Sequence, residues 1–299
     1  MSLRDALQAS LQTGTPIVAP GAASPLVFRL IQQCGFQAAY LGGYDSGVQL
    51  GIPEPMVSLT DQAQLAFACT NGLGIPVIID GGAGWGDAAH TMRSVRELER
   101  AGVAAIHIED QIFPKRVHYH RDRGSQVKRV IPLDEHADKI RMALAARRDP
   151  NTLIIARTDA GGAVDGGVDE AIRRCRRYSE LGVDAVMPLV HDLDHMKTIR
   201  RAIDPGMPMA MALAPGSSVS LHPIAELAAS GVQLILVAHL LGLAAMNAQL
   251  AVLQGMRAGR LPETTADRIK ELRTMVYELI DMPEYIRIEE ETTEKRRTT

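Results

Sequence analysis

Aromatic side chains are scarce in this chain, whose 299 residues include one Trp, six Tyr and four Phe. Proteins that hold single-stranded nucleic acid stack its bases on such rings, so their scarcity argues against that class. Positive charge is not in excess either, because the formal net charge is −3 at pH 7. Nucleic acids and anionic membrane surfaces attract clustered Lys and Arg. We therefore expect neither of them as a partner.

Cysteine is also rare, and Cys34, Cys69 and Cys175 fit neither a disulfide framework nor a metal-binding spacing. We interpret them as reduced, packed thiols of a cytoplasmic protein. The first residues lack the charged and then apolar layout of a secretion signal. Residues 227–256 carry no Asp, Glu, Lys or Arg, but small and polar residues interrupt them. This stretch predicts a buried strand followed by a packed helix rather than a membrane span.

The chain does contain a regular alternation of short apolar segments with longer helical patterns. Several helical patterns end in a glycine just before the next apolar segment, as at Gly102, Gly182 and Gly231, which is typical of a left-handed helix cap. Uninterrupted apolar runs are typical of parallel strands buried on both faces. Eight strand–helix units predict an α/β protein with a (β/α)8 TIM barrel. The predicted strands are 17–19, 38–42, 76–80, 104–110, 153–158, 185–190, 208–213 and 232–238.

The chain continues beyond the eighth predicted strand. Two further helices are predicted within about 241–282, and a charged tail follows at 289–299. A barrel does not need these helices, so we expect them to pack on a neighbouring subunit. The tail is expected to be a frayed, solvated terminus. Because no low-complexity linker divides the sequence, residues 1–299 are predicted to form one domain.

Charged residues end three consecutive predicted strands, and in barrels of this class active sites lie at those strand ends. They are Asp80, Glu109 and Arg157. Converging carboxylates repel each other unless a cation neutralises them, and such hard oxygen ligands suit Mg²⁺ or Mn²⁺. Arg157 is suited to hold a substrate carboxylate or phosphonate. Helix capping or an ion pair would explain any one of these residues equally well, but a site explains all three better.

Other strand ends supply further substrate-binding candidates. A glycine-rich loop at 81–86 follows the third predicted strand, but its spacing does not fit the dinucleotide fingerprint, so hydride transfer is a weak alternative. Glycines there would instead let the backbone approach a ligand. The remaining candidates for substrate binding are Gly42, Gly43, Tyr44, Asp45 and His191.

The segment after the fourth predicted strand combines cations with groups that transfer protons near neutral pH. Lys115, His118, Tyr119 and His120 are its candidate catalytic residues, and an active-site lid would have this composition. A zinc site is a poor alternative, because the histidine spacing is irregular and the neighbouring ligands are carboxylates. A basic surface loop remains an open interpretation.

Four motifs, in order and with spacing over most of residues 15–250, resemble the isocitrate lyase/phosphoenolpyruvate mutase superfamily. The motifs are "LGIPE" ending at Glu54, "IIDGGAGWGD" ending at Asp87, "IEDQIFPKR" at 108–116 and "IIARTDA" at 154–160. The resemblance implies a barrel, Mg²⁺, and a 2-oxo acid or enolate intermediate stabilised by metal and arginine. It also implies a homotetramer, a dimer of dimers, with a terminal helix exchanged between subunits.

The resemblance also assigns roles to individual residues. It implies that Asp80 binds the metal directly, that Glu109 acts on the metal shell, and that Arg157 clamps a carboxylate or phosphoryl group. Glu54 stands at a metal-site position where the superfamily usually has Asp.

Several positions depart from the superfamily pattern. Gly82 stands where a second metal-site Asp is usual, and Val117 where the lyases have a proton-donating Cys. Gly43 replaces a Ser on the loop after the second strand, and Leu189 replaces an acidic residue. The barrel frame and half of the metal site are therefore expected to remain, while the substrate-specific half differs.

These observations favour a Mg²⁺-dependent lyase that cleaves a carbon–carbon bond of a small 2-hydroxy or 2-oxo carboxylic acid through an enolate-type intermediate. Such a lyase needs a general acid, which Val117 cannot be. Oxaloacetate decarboxylation is an alternative that needs fewer catalytic groups, because the metal and Arg157 would stabilise the enolate that remains after CO₂ leaves. Phosphonate mutase or hydrolase activity ranks lower, since those enzymes carry a different polar loop. A barrel without turnover, used for binding or assembly, is the alternative from another class.

Overall fold

The computed structural model describes residues 2–117, 128–190, 192–214, 222–260 and 266–295. Eight short strands alternate with helices in these ranges, and the predicted (β/α)8 barrel is confirmed. The strands are β1 (Ile17–Pro20), β2 (Ala39–Leu41), β3 (Val77–Asp80), β4 (Ala105–Glu109), β5 (Leu153–Thr158), β6 (Ala185–Pro188), β7 (Ala210–Leu213) and β8 (Leu234–Val237).

Two hydrogen-bonded sheets make up the barrel wall. One has the strand order β1–β8–β7 and the other runs from β2 to β6 in sequence order, with every pair parallel. Single bridges join the sheet edges, Gly21 to Tyr40 at one junction and Val186 to Met209 at the other. The strands therefore form a closed ring whose carboxyl ends share one mouth.

Amphipathic helices surround the ring. In α7, for example, Ala171, Cys175 and Tyr178 are buried at helical spacing, which places them on the face that packs on the strands. The helices are α1 (Leu3–Thr13), α2 (Pro25–Gln33), α3 (Gly43–Leu50), α4 (Leu59–Thr70), α5 (Ala88–Arg100), α6 (Leu133–Ala146), α7 (Val168–Glu180), α8 (Leu193–Ala202), α9 (Ile224–Ala229), α10 (Leu240–Arg257), α11 (Ala266–Leu279) and α12 (Met282–Glu289).

Small and aliphatic side chains fill the inside of the ring. Ile78, Ile155 and Leu234 belong to this interior cluster. Leu3 and Leu7 of α1 belong to the same cluster, so this helix packs on the interior of the ring. The few aromatic residues of the chain are therefore no obstacle to a well-filled core.

The C-terminal helices are exposed in the isolated chain. Helices α10, α11 and α12 contain no buried residue, and their packing on a neighbouring subunit stays a prediction. The charged end was expected to be frayed, but α12 is followed by a π-helical turn at Glu290–Glu294. None of the helices in the described ranges is long and apolar enough to cross a membrane.

Candidate active site

The carboxyl ends of β3, β4 and β5 carry the three charged residues that predicted a site. In the parallel register, Asp80 lies opposite His107, and Glu109 lies opposite Arg157. The four residues are buried, with exposed fractions of 6% for Asp80, 0% for His107 and Glu109, and 8% for Arg157. Because adjacent parallel strands end at the same edge, their last side chains meet at the barrel mouth.

Glu109 lies between two cations. One carboxylate oxygen is 2.9 Å from Lys115 Nζ, and the other is 3.0 Å from Arg157 Nη2. Lys115 also bonds Glu54, so its ammonium bridges two carboxylates. Burial raises the pKa of Glu109, while Lys115 and Arg157 act in the opposite direction. Burial alone would lower the pKa of Lys115, but Glu109, Glu54 and Asp80 raise it above its usual range, which keeps the ammonium charged at neutral pH.

Asp80 is held by the backbone. The Gly43 and Gly82 amides donate to its two carboxylate oxygens, at 3.2 and 2.8 Å. Burial raises the pKa of Asp80, but His107, Lys115 and Arg157 outweigh it and lower the pKa below its usual value. Burial also lowers the pKa of His107 to about 4, so this ring is neutral at pH 7. Because the His107 ring is neutral at pH 7, the positive charges that keep Asp80 ionised are those of Lys115 and Arg157.

Arg157 is fixed from two sides. Its Nε and Nη2 donate to the two oxygens of Asp159, at 2.7 and 3.2 Å, and Nη2 also pairs with Glu109. Its Nη1 makes no hydrogen bond to the residues that the structure describes. The guanidinium is therefore oriented by protein carboxylates and keeps one nitrogen for an acidic ligand.

A divalent cation fits this site. A cavity of about 50 Å³ borders Asp80, Gly43, Gly82 and Gln62. Within the described ranges, no three His, Cys, Asp or Glu side chains form a ready ligand set, but Mg²⁺ is usually held by one or two carboxylates and several waters. Near the cavity, the carboxylates of Glu54, Asp80, Glu109 and Asp159 face Lys115, Arg157 and Lys128, and the Lys139 ammonium bonds the Ala83 carbonyl.

Comparison with known proteins decides the family. A family profile described as phosphoenolpyruvate phosphomutase matches residues 7–257. The chain belongs to this family. The resemblance to the isocitrate lyase/phosphoenolpyruvate mutase superfamily is thereby confirmed, and the chain is an enzyme of that superfamily.

Three relatives show how far the similarity to this family extends. The 2,3-dimethylmalate lyase of Eubacterium barkeri is 37% identical over 225 residues, which cover 74% of each chain. The oxaloacetate decarboxylase of Chromohalobacter salexigens is 33% identical over 270 residues, covering 89% of this chain and 90% of its own. A solved phosphonopyruvate hydrolase complex with oxalate and Mg²⁺ superposes with a TM-score of 0.82 at 27% identity, covering 98% of this chain and all of that one.

The candidates after β2 lie in the first turn of α3, close to the metal-site residues. A Cβ added to Gly43 would lie 3.0 Å from both Asp80 Oδ2 and Glu54 Oε1, so only glycine fits there without displacing a carboxylate. Asp45 is buried and accepts a hydrogen bond from the His239 amide at 3.3 Å. The Tyr44 ring lies against the His239 ring, with centroids 4.1 Å apart.

Gly42 approaches both of its neighbours closely. A Cβ there would lie 3.0 Å from Asp45 Oδ2 and 3.0 Å from the Tyr40 ring.

Four predicted site residues lie outside the described residues, and their roles in this family member stay predictions. They are His118, Tyr119, His120 and His191.

Sequence reasoning missed several residues of the cluster. Asp159 and Gln111 both lie within the motifs quoted above. Asp159 follows Arg157 by two residues, and this spacing could have indicated that its carboxylate pairs with the arginine. Tyr40, whose hydroxyl is 3.0 Å from His107 Nε2, resembled an ordinary strand residue. Gln62 gave no signal, because it lies in a helical pattern far from any strand end.

We expect Asp45→Asn to stabilise the protein, and more so as pH rises. Burial, the largest cause, raises the pKa of Asp45 from 3.8 to about 6, so between these values the folded chain binds this proton more than the unfolded chain does. The free energy of unfolding of the wild type should therefore fall relative to the variant from about pH 4 to about pH 6 and then run parallel to it. The final gap should be on the order of 3 kcal/mol.

Urea unfolding of both proteins in EDTA, at several pH values, measures this gap. A gap that is the same at pH 4 and pH 7 would contradict the assigned environment of Asp45.

Proposed function

We propose that this enzyme is a Mg²⁺-dependent lyase that cleaves a carbon–carbon bond of a small 2-hydroxy or 2-oxo carboxylic acid through an enolate-type intermediate. The observation that carries the proposal is the cluster of Asp80, Glu109 and Arg157 on three adjacent strand ends, beside a small cavity that Asp80 lines. The relatives named 2,3-dimethylmalate lyase and oxaloacetate decarboxylase support it.

Each residue of the cluster has a distinct task in this proposal. Asp80 would hold Mg²⁺, with Glu54 and Glu109 acting through its water shell. The ion, when bound, supplies a Lewis acid for the oxygen on which negative charge develops. Arg157 binds the carboxylate of the acid through its available nitrogen and, with Lys115, balances the added charge. The arrangement selects a small anion, because little space remains between the paired side chains.

The bond cleavage leaves an electron pair on the product, which must take up a proton. Val117 carries no proton donor and its side chain is exposed. His118, Tyr119 and His120 remain the proposed donors. Cleavage of a 2-hydroxy acid must also remove the hydroxyl proton, whereas decarboxylation of oxaloacetate releases CO₂ and leaves an enolate that takes up one proton. Decarboxylation thus needs fewer proton-transferring groups, so the valine favours that reaction as a second candidate.

The proposal is tested with a panel of substituted malates and oxaloacetate in the presence of Mg²⁺. We expect formation of a 2-oxo acid from at least one compound, detected by NMR, and its loss in EDTA. Asp80→Asn should lower kcat/KM at least on the order of 10²-fold, because it weakens the carboxylate that holds the ion. CO₂ released from oxaloacetate would identify the decarboxylase.

Asp138→Asn is the matched control. Asp138 is an exposed carboxylate of α6 paired with Arg141, so its loss should leave activity unchanged. Absence of any 2-oxo acid across the panel, or full activity in Asp80→Asn, would contradict the proposal.

We also propose a homotetramer, a dimer of dimers, in which the C-terminal helices pack on a neighbouring subunit. Helix α10 follows β8 directly, yet an apolar stripe along it is exposed to solvent in the single chain. Its spacing of three or four residues is typical of a helix face that is buried in an assembly. The stripe contains Leu240, Leu243, Met246, Leu250, Leu253 and Met256.

Leu253→Glu should break this assembly, because Leu253 is 62% exposed in the isolated chain and a charge would be buried at the interface. Light scattering should give the mass of four wild-type chains and a smaller mass for the variant. Leu253→Met keeps size and polarity and should remain a tetramer. A wild-type mass of one chain, or no effect of the glutamate, would contradict the proposal.

We finally propose that the enzyme acts in the cytoplasm. The three cysteines are free thiols, which supports a reducing compartment. Cys69 and Cys175 are buried, as expected for packed thiols, whereas Cys34 is exposed.

A further inference from the structure

Gln62 is a buried residue of α4 that touches the end of β3. Its exposed fraction is 1%, and its Nε2 donates a hydrogen bond of 3.1 Å to the backbone carbonyl of Asp80. A carbonyl oxygen can only accept, so this bond fixes the orientation of the amide. The nitrogen must face Asp80, and the amide oxygen must face the other way.

That amide oxygen, Gln62 Oε1, has no hydrogen-bond partner within the described part of the chain. Buried acceptors are nearly always satisfied by protein or by an ordered water. Three donors that line the same cavity as Gln62 have other partners, since the Gly43 and Gly82 amides donate to Asp80 and Lys115 pairs with Glu54 and Glu109. No described residue therefore donates to this oxygen, and a buried water is the kind of partner that would satisfy it.

The position of Gln62 restricts which water this can be. The residue lines the same small cavity as Asp80, Glu54 and Lys115. A water in that cavity lies beside the carboxylate that would hold Mg²⁺, and a bound divalent cation makes its waters strong hydrogen-bond donors. A neutral amide oxygen accepts such a bond without adding charge to a site that already holds several carboxylates.

We propose that Gln62 is a positioning residue whose Oε1 accepts a hydrogen bond from a water of the Mg²⁺ ion at Asp80. This inference rests on the proposed metal site but not on the identity of the substrate. Groups that orient the ligands and waters of a metal contribute to its affinity, and their loss typically costs 10- to 100-fold. Gln62 therefore tunes metal binding although it is not itself a ligand.

The test is a calorimetric titration of Mg²⁺ into the metal-free full chain. Gln62→Met replaces the amide with an apolar side chain of similar size, and we expect its Mg²⁺ dissociation constant to rise about tenfold. The matched control is Gln64→Met, since Gln64 lies on the same helix but is exposed, and it should bind as the wild type does. Thermal unfolding in EDTA reports separately on the loss of the bond to Asp80.

An unchanged dissociation constant in a folded Gln62→Met protein would overturn the proposal, and so would a wild type that binds no Mg²⁺. If Mg²⁺ binding depends on Gln62 but none of the malates or oxaloacetate is cleaved, the role of Gln62 is supported and only the proposed reaction is contradicted.

A wild-type crystal structure with Mn²⁺ supplies a second measurement that needs no variant. The proposal requires a cation-bound water within hydrogen-bonding distance of Oε1, and a protein donor at that oxygen would overturn it.

Discussion

The balance of charge in a buried space is the constraint on which the whole site depends. Glu109 is fully buried and lies between Lys115 and Arg157, which in turn contact Glu54 and Asp159. Removing one partner from such a group leaves an uncompensated charge in a medium that solvates it poorly. The ends of β3, β4 and β5 must therefore keep their relative positions, and the closed ring of strands supplies that rigidity.

Glycine completes the arrangement where a side chain would interfere. A Cβ at Gly43 would lie 3.0 Å from both Asp80 Oδ2 and Glu54 Oε1, so a side chain there would require these carboxylates to shift. Gly82 is different, because it has a φ of +49° and a Cβ there would meet nothing within 4 Å. The position where the superfamily usually has a second Asp is thus open space, and the site has one carboxylate fewer than the superfamily pattern would give.

Much of the fold could be predicted from the sequence, because buried parallel strands produce uninterrupted apolar runs that end in capping glycines. The strand ends also identified Asp80, Glu109 and Arg157, since topology alone places consecutive strand ends at one mouth. What could not be predicted depends on side-chain contacts between distant segments. Nothing in the pattern of α4 indicates that Gln62 touches Asp80. Likewise, the apolar periodicity of α10 favours a buried helix face, but it does not identify the residues that would cover that face.

The proposed function requires that Asp80 and Arg157 together form a Mg²⁺-dependent site for a small carboxylic acid and its enolate. Calorimetric titration of oxalate, a planar dianion that resembles the enolate of a 2-oxo acid, tests it most directly. We predict binding with Mg²⁺ and none in EDTA, and a loss of affinity of about tenfold or more in Arg157→Lys, because lysine cannot reproduce the fork-shaped contact. Equal binding of oxalate with and without Mg²⁺, or none in either condition, would contradict the account.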